Sequence, residues 1–343
     1  MNMKPTGKSR LKFRLIPILM MMWLAMGAAR AGAQVYATDG AENAILEYST
    51  GGQAIGTGTL CSTGTDQGLW VIAVAGQDIF VTDHVANTIE EYTTAGAPVG
   101  TGTLVSSGLD DPLGIAISGS DIFVANGGNS TIGEYTLSGQ PVGTGTLVTL
   151  NGSGPVGIAI SGSDLFITNG GADTVAEYTT SGQPVGTGTL ISSAQGLLNP
   201  EGIAVSGSDI YVVSTAANTI WEFTTAGAPV GTGTVATLSS PPNYPGDGAY
   251  PRGIALSGTD ILVGTNDSLI LEYTTAGAPV GTGTFLSTPD PYEFIQGIAV
   301  VSVPEPTGAK GTLLGLCIIA GLWRLGRKKS SPAGYRNMRR RCG

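Results

Sequence analysis

Hydrophobic residues in the body of this chain come in short runs that are cut off, again and again, by Gly, Ser, Asn and Pro. The stretch "GIAISGSDIFVANGGNSTIGEYTLSGQPVGTGTLV" (Gly114–Val148) shows the rule. It divides into GIAIS, DIFVAN, TIGEYT and PVGTGTLV, each rich in Ile, Val, Phe, Tyr and Thr and each bounded by turn formers, which predicts four strands joined by tight turns. Helical periodicity with capping residues is absent, so the body is expected to be all-β.

The same four-part pattern recurs. The string TTAGAPVGTGT starts at Thr93, Thr224 and Thr274, with close variants at Ser49, Thr136 and Thr179. The first Gly of each GTGT falls at Gly56, Gly100, Gly143, Gly186, Gly231 and Gly281. A repeat of this length belongs to propeller blades of four strands. The chain enters with three strands of a unit (from Gln34) and leaves with only a first strand, GIAVVSV (Gly297–Val303). Those parts complete a sixth blade if the ends pair, which leaves no open sheet edge between first and last blade. The expected fold is a six-bladed β-propeller over residues 34–303. In it TTAGAP is the turn into the outer strand and GTGT is that strand, with Gly supplying positive φ and Pro a fixed one. The phrase is read as scaffold. A phosphate-cradling loop would need Gly-Lys-Ser/Thr entering a helix, and Thr ranks for ice binding would have to lie flat rather than face six directions. The units resemble NHL and YVTN-type propeller repeats, which begin with a G-I-A-V strand and continue into an I-Y-V strand. That resemblance implies the fold and leaves function open.

The two ends read as addresses. Residues 1–33 run from a basic segment (Lys4, Lys8, Arg10, Lys12, Arg14) through an apolar stretch from Leu15 to small residues, the layout of a secretory signal peptide. Val303-Pro304-Glu305-Pro306 precedes an apolar run over 311–323 and a basic cluster within 324–329 (Arg324, Arg327, Lys328, Lys329). The run is short for a bilayer core and is expected to form a marginal transmembrane helix, basic side inward. The tail resembles the PEP-CTERM sorting signal of exopolysaccharide-producing Gram-negative bacteria. This implies an inner-membrane hold over 304–329, cleavage by an exosortase, and release to the surface or matrix. Family members usually stop soon after the basic cluster, whereas here a basic tail, expected to be disordered, continues over 330–343.

Charge is sorted to match. Between Gln34 and Val303 stand 24 acidic residues against a single arginine, Arg252, for a net charge of −23, with His84 the one histidine. Such a body excludes nucleic acid as a partner, because phosphate binding needs Lys and Arg. One body cysteine, Cys61, builds no disulfide framework and no Cys-type zinc site.

In a four-stranded meander, alternate connections share an end. The SGSD and TTAGAP turns on one end are nearly invariant, whereas the loops on the other differ between units, and loops on rigid scaffolds are where binding usually lives. The longest of them supplies Tyr244, Asp247, Tyr250 and Arg252, and the last adds Asp290, Tyr292, Glu293 and Phe294. Aromatics beside carboxylates suit the stacking and hydroxyl hydrogen bonds of sugar rings; the plainer alternative is that they cover their own Pro-rich turns. Arg252 is expected to pair internally with Asp247 or a neighbouring carboxylate. The Asp residues of the GSD turns (Asp78, Asp121, Asp164, Asp209, Asp260) are explained by Asx-type hydrogen bonds. Asp110-Asp111, Asp247 and Asp290 offer oxygen ligands for Ca²⁺ without forming a D-x-D-x-D-G loop, so neither metal nor cofactor is assigned. His84 as a general base would need an orienting carboxylate, with Asp83 nearest in sequence. The resulting expectation is a non-enzymatic exported propeller that binds or organises exopolysaccharide or a surface partner. The alternative is a propeller lyase or lactonase-type hydrolase acting at the variable face.

Overall fold

The computed structural model describes residues 33–64, 68–152, 154–239, 249–287 and 294–301. They form six four-stranded antiparallel sheets and, beyond strands, only two short 3-10 turns. The sheets are the blades of a propeller, since their inner strands contact one another in a closed cycle. Counting from the N-terminus, blades 2 to 6 have inner strands Leu69–Ala75, Pro112–Ser118, Pro155–Ser161, Pro200–Ser206 and Pro251–Ser257. In blade 1 the inner strand is Ile295–Val301. It pairs antiparallel with Gln34–Asp39, Val35 opposite Val300, and so joins the two ends of the body. The unit quoted above folds as Pro112–Ser118, Asp121–Asn126, Thr131–Thr136 and Pro141–Thr149, so the expected strands stand with the first beginning two residues earlier.

Burial explains the strand composition. The second strand of each blade is covered on both faces, and DIFVAN is buried from Ile122 onward. Core clusters lie between neighbouring blades: Phe123 and Ile132 of blade 3 pack with Ile158, Leu165 and Ile167 of blade 4. A Val, Ile or Phe facing each neighbour is what a continuous hydrophobic run provides.

Two rings of glycine set how closely blades approach. Five inner strands carry Gly at their third position, and a Cβ at Gly253 would stand 2.6 Å from the carbonyl oxygen of Gln296 in the next blade. Gly114, Gly157 and Gly202 meet the next inner strand in the same way; only blade 2 has a side chain there, Val71. At the rim, the glycine of each TTAGAP-type turn has φ between +73° and +83°. A Cβ at Gly96 would lie 2.8 Å from the carbonyl of Leu60 in the preceding blade. The repeated phrase is therefore a turn and a blade-to-blade contact at once, which is why it hardly varies. The GTGT segment has positive φ at both glycines of every copy and a shifted register against its neighbour, so the outer strand is bulged. Threonine staples add a polar link. Thr82 donates its hydroxyl to the Leu113 carbonyl of the next blade at 2.6 Å and accepts from the Val71 amide at 3.1 Å. Thr38 and Thr168 repeat the arrangement.

No helix among the described residues is long and apolar enough to cross a membrane. Residues 1–32 of the leader, the VPEP segment from Val303, the 311–323 run, the basic cluster and the 330–343 tail all lie outside the described residues.

Candidate functional site at the channel mouth

The variable loops converge where the inner strands begin. Aligned on their shared Ile-Ala, the six inner strands place one residue each at the same level of the ring: Trp70, Leu113, Val156, Glu201, Arg252 and Gln296. The repeats nearly agree elsewhere in this strand; at this level no two blades match. Ring order sorts the set into an apolar half (Trp70, Leu113, Val156) and a polar half (Glu201, Arg252, Gln296).

The polar half is held by an ion pair. Arg252 Nη1 donates to both oxygens of Glu201 in the preceding blade, at 2.7 and 2.8 Å, and Nε donates to Asn266 Oδ1 at 3.0 Å. Asn199 Nδ2 donates to Glu201 at 3.2 Å. Glu201 is buried, so its charge is matched where water cannot reach it well. Arg252 thus pairs internally with a carboxylate, as expected, and the carboxylate is Glu201 of the neighbouring blade, because ring curvature brings adjacent inner strands together. Only its placement needs correcting, since it sits on an inner strand rather than a loop.

Arg252 also reaches across blade 1. Its Cζ lies 5.7 Å from the centre of the Trp70 ring, within range of a cation–π contact. Trp70 in turn meets His84 edge-on at 4.9 Å between ring centres. His84 Nδ1 stands 3.2 Å from Asp111 Oδ1 of the neighbouring blade. Asp83, its nearest carboxylate in sequence, is instead occupied in its own loop, where Oδ1 accepts the amides of Val85 and Ala86. A chain of contacts thus runs Glu201, Arg252, Trp70, His84, Asp111 around the mouth. Beneath it lies a cavity of about 50 Å³, walled by Trp70, Glu201, Arg252 and Gln296 and floored by Ile158, Ile203, Ile254 and Ile298.

One level further out, the residue before each inner strand gives its carbonyl to the first amide of the second-to-third loop. Phe294, Gly68, Asp111, Gly154, Asn199 and Tyr250 fill these places in blades 1 to 6. Tyr250 and Phe294 therefore stand on adjacent blades at matching positions, both exposed (39% and 41%). Tyr250 is in the left-handed region, φ +44°, and its amide donates to Asn218 Oδ1 at 2.8 Å. Of the site residues expected from sequence, Tyr250, Arg252 and Phe294 gather here; Tyr244, Asp247 and Tyr292, with Asp290 and Glu293, lie outside the described residues. The sequence reading missed Trp70, Glu201 and Gln296. Aligning the six inner strands and looking for the column that varies would have found them.

The carboxylates of the invariant face behave differently. Asp121, Asp164 and Asp209 accept from the hydroxyl of the preceding serine at 3.2 to 3.3 Å, so a Ser–Asp bond holds these GSD turns rather than the Asx turn expected. In four blades the turn aspartate also lies near a glutamate on the third strand. Glu91, Glu134, Glu177 and Glu272 are pushed up by desolvation and then by the neighbouring Asp78, Asp121, Asp164 and Asp260. No group of three or more His, Cys, Asp or Glu among the described residues is placed to hold a metal ion.

No family model matches this chain, and no curated protein matches it. Solved structures do. A chain of the nidogen/laminin complex superposes with a TM-score of 0.61 at 16% identity, covering 79% of this chain and 99% of that one. Virginiamycin B lyase from Staphylococcus aureus gives 0.48 at 19% identity over 72% and 81%, and a streptogramin B lyase gives 0.46 at 21% over 71% and 82%. At these identities the first establishes a shared propeller architecture and nothing about ligand, and the two lyases lend no further weight.

Proposed function

We propose that the protein is an exported binding propeller whose variable face takes a neutral, hydroxyl-rich ligand, the end or side of an extracellular polysaccharide. The observation that carries this reading is the pair of exposed rings, Tyr250 and Phe294, at matching positions of adjacent blades beside the Arg252–Trp70 contact. Flat aromatic faces next to fixed polar groups suit the apolar faces and hydroxyls of sugar rings. The single body cation is matched by Glu201, so the mouth offers directional hydrogen bonds with little net pull on anions. The basic-apolar leader and the VPEP-type tail supply a route: translocation, a hold at the inner membrane, cutting by an exosortase and release. The test is titration of the purified protein with exopolysaccharide from its own host, followed by calorimetry. Saturable binding is expected; none at millimolar sugar would overturn the reading.

A second reading is an enzyme of lyase or hydrolase type. It is favoured by the contact of His84 with Asp111, an imidazole oriented by a carboxylate and open to solvent at the same mouth. Chemical change in the exopolysaccharide on incubation, lost in His84→Ala, would favour it over simple binding.

A further inference from the structure

The interface between blades 2 and 3 is under-filled at the rim. In each blade the third residue of the third strand faces the preceding blade. Leu46, Trp221 and Leu271 pack there in blades 1, 5 and 6, whereas blade 3 has Gly133. The Tyr135 ring lies over that glycine, its Cε2 3.0 Å from where a Cβ would stand. Its hydroxyl reaches the exit of blade 2 and donates to the Ser107 carbonyl at 3.3 Å. What remains is a cleft of about 280 Å³, walled by Leu104, Ser107 and Gly108 of blade 2 and by Tyr135, Gly139 and Gly145 of blade 3.

The interface between blades 4 and 5 shows what the same space accepts. There the Trp221 ring lies between two glycines: a Cβ at Gly196 would stand 3.0 Å from its Cη2, and one at Gly233 2.9 Å from its Cζ3. Gln195 adds a donor, Nε2 to the Gly227 carbonyl at 2.8 Å. The counterparts of Gly196, Gly233 and Gly227 are Gly108, Gly145 and Gly139, and all three line the cleft. At Gly108 the Tyr135 hydroxyl stands in for the indole edge, 2.9 Å from the Cβ position. Over Gly145 only Pro141 Cβ lies within 4 Å, so that side is open. The turns of Gly139 and Gly227 share φ (+76° and +79°) and the same backbone hydrogen bonds, so their carbonyls take the same direction. The exit of blade 2 is shorter than that of blade 4 and lacks Ala194 and Gln195, so Gly139 has no counterpart to the Gln195 amide. The cleft is lined by no carboxylate, amine or guanidinium, and desolvation pushes the Tyr135 hydroxyl up, keeping it neutral.

We infer that the cleft between blades 2 and 3 is a binding site for a small, uncharged aromatic ring system that carries an amide N–H. The ring seats on the Gly145 face beside Tyr135, in the part of the Trp221 space that Tyr135 leaves free, and the N–H donates to the Gly139 carbonyl. A cavity of roughly 150 Å³ already admits benzene, so about 280 Å³ takes a two-ring group. The site is independent of the glycan reading, because it lies on the rim and not at the channel mouth.

The experiment titrates the full chain, in mild detergent, with indole-3-acetamide and with indole, indole-3-acetate and glucose as comparators. Binding is read from the methyl resonances of Leu104 and Val105, which report on this cleft alone. The amide is expected to shift them saturably and to bind about three- to tenfold tighter than indole, the size of one hydrogen bond. The acetate should bind more weakly than the amide, and glucose should leave the methyls unmoved. Gly133→Trp with Tyr135→Phe writes the blade 5 pair into blade 3, so it should abolish binding at an unaltered or higher Tm. If that variant unfolds, the methyl shifts of the unaltered protein decide. Unmoved methyls with the amide, equal affinity for amide and acetate, a response to glucose, or binding kept in the folded double variant would each overturn the site, and none of these touches the glycan reading at the mouth.

Discussion

Arg252 of blade 6 places one nitrogen, Nη1, 2.7 Å from Oε1 and 2.8 Å from Oε2 of Glu201 in blade 5, so a single guanidinium ties two inner strands together at the channel mouth. Removing one partner of such a pair leaves the other buried and unmatched, which costs more than removing both. Arg252→Met is expected to lower unfolding free energy by about 2–4 kcal/mol, less than the full buried-pair value because Arg252 is partly exposed. The double variant Arg252→Met with Glu201→Leu should recover most of that loss. Urea denaturation of the four forms measures it, and a double variant worse than the single one would show that the pair is not coupled.

The threonine staples make a second prediction. Thr82 accepts from Val71 in its own blade and donates to Leu113 in the next, so its hydroxyl is saturated in a site a valine would fill without strain. Thr82→Val is expected to cost about 1–3 kcal/mol, since the Val71 amide and the Leu113 carbonyl both lose a partner. Thr168→Val should behave alike. Thermal unfolding with unchanged far-ultraviolet circular dichroism would confirm the effect, and an unshifted Tm would exclude a staple role.

Glycine substitutions should separate conformational strain from blade spacing. Gly119 has φ +62° and open space around its missing Cβ, so Gly119→Ala costs the left-handed penalty of about 1–2 kcal/mol and no more. Gly253 faces the Gln296 carbonyl, which cannot retreat without opening the ring. Gly253→Ala is expected to lose at least as much and to broaden the transition as well, because overpacking is spread over two blades. The comparison is read from Tm and transition width in one buffer.

How much of this was legible in the residues alone depends on whether the determinant is local. GIAIS, DIFVAN, TIGEYT and PVGTGTLV are bounded by turn formers, and their strands fall where those boundaries lie. Ring closure followed from counting strands at the two ends of the body. The partner of Arg252 did not follow, because Glu201 is 51 residues away and is brought near only by the angle between blades. The partner of His84 did not follow either, for the same reason. Asp83 is next to it in sequence, but at the end of a buried strand its carboxylate turns back to the amides of Val85 and Ala86. Asp111 comes from the neighbouring blade. Contacts within a blade were readable; contacts between blades needed the ring.

The acidic pairs of the invariant face predict an unusual pH profile. Glu91, Glu134, Glu177 and Glu272 all have pKa values raised above the ordinary 4.5 by desolvation and by an aspartate across the pair. In the window just above 4.5 the folded state holds protons that the unfolded chain has released. Their stabilising contribution is complete below 4.5 and is lost as pH rises through the folded-state values. Tm should therefore fall as pH rises above about 4.5, and Asp121→Asn should flatten the slope by relieving Glu134. A Tm that rises instead would contradict the assignment.

The last prediction isolates the aromatic platform. Tyr250 is strained at φ +44°, a conformation that costs a bulky side chain about 1–2 kcal/mol, whereas the matching places in blades 3 and 5 hold Asp111 and Asn199 at φ +50° and +48°. Asparagine is therefore the replacement this backbone already accepts, and Tyr250→Asn should leave the ring as stable as before or slightly more so. If the exposed ring serves only to cover its loop, that variant should bind exopolysaccharide unchanged. If the ring is a stacking surface, affinity should fall about tenfold, with Phe294→Ala giving a similar loss and the two together little binding. Strain retained at an exposed aromatic, where two other blades use the more tolerant Asp or Asn, is what a ligand-facing residue would show. Calorimetric titration of the three variants, each checked for unaltered Tm, decides between the two roles.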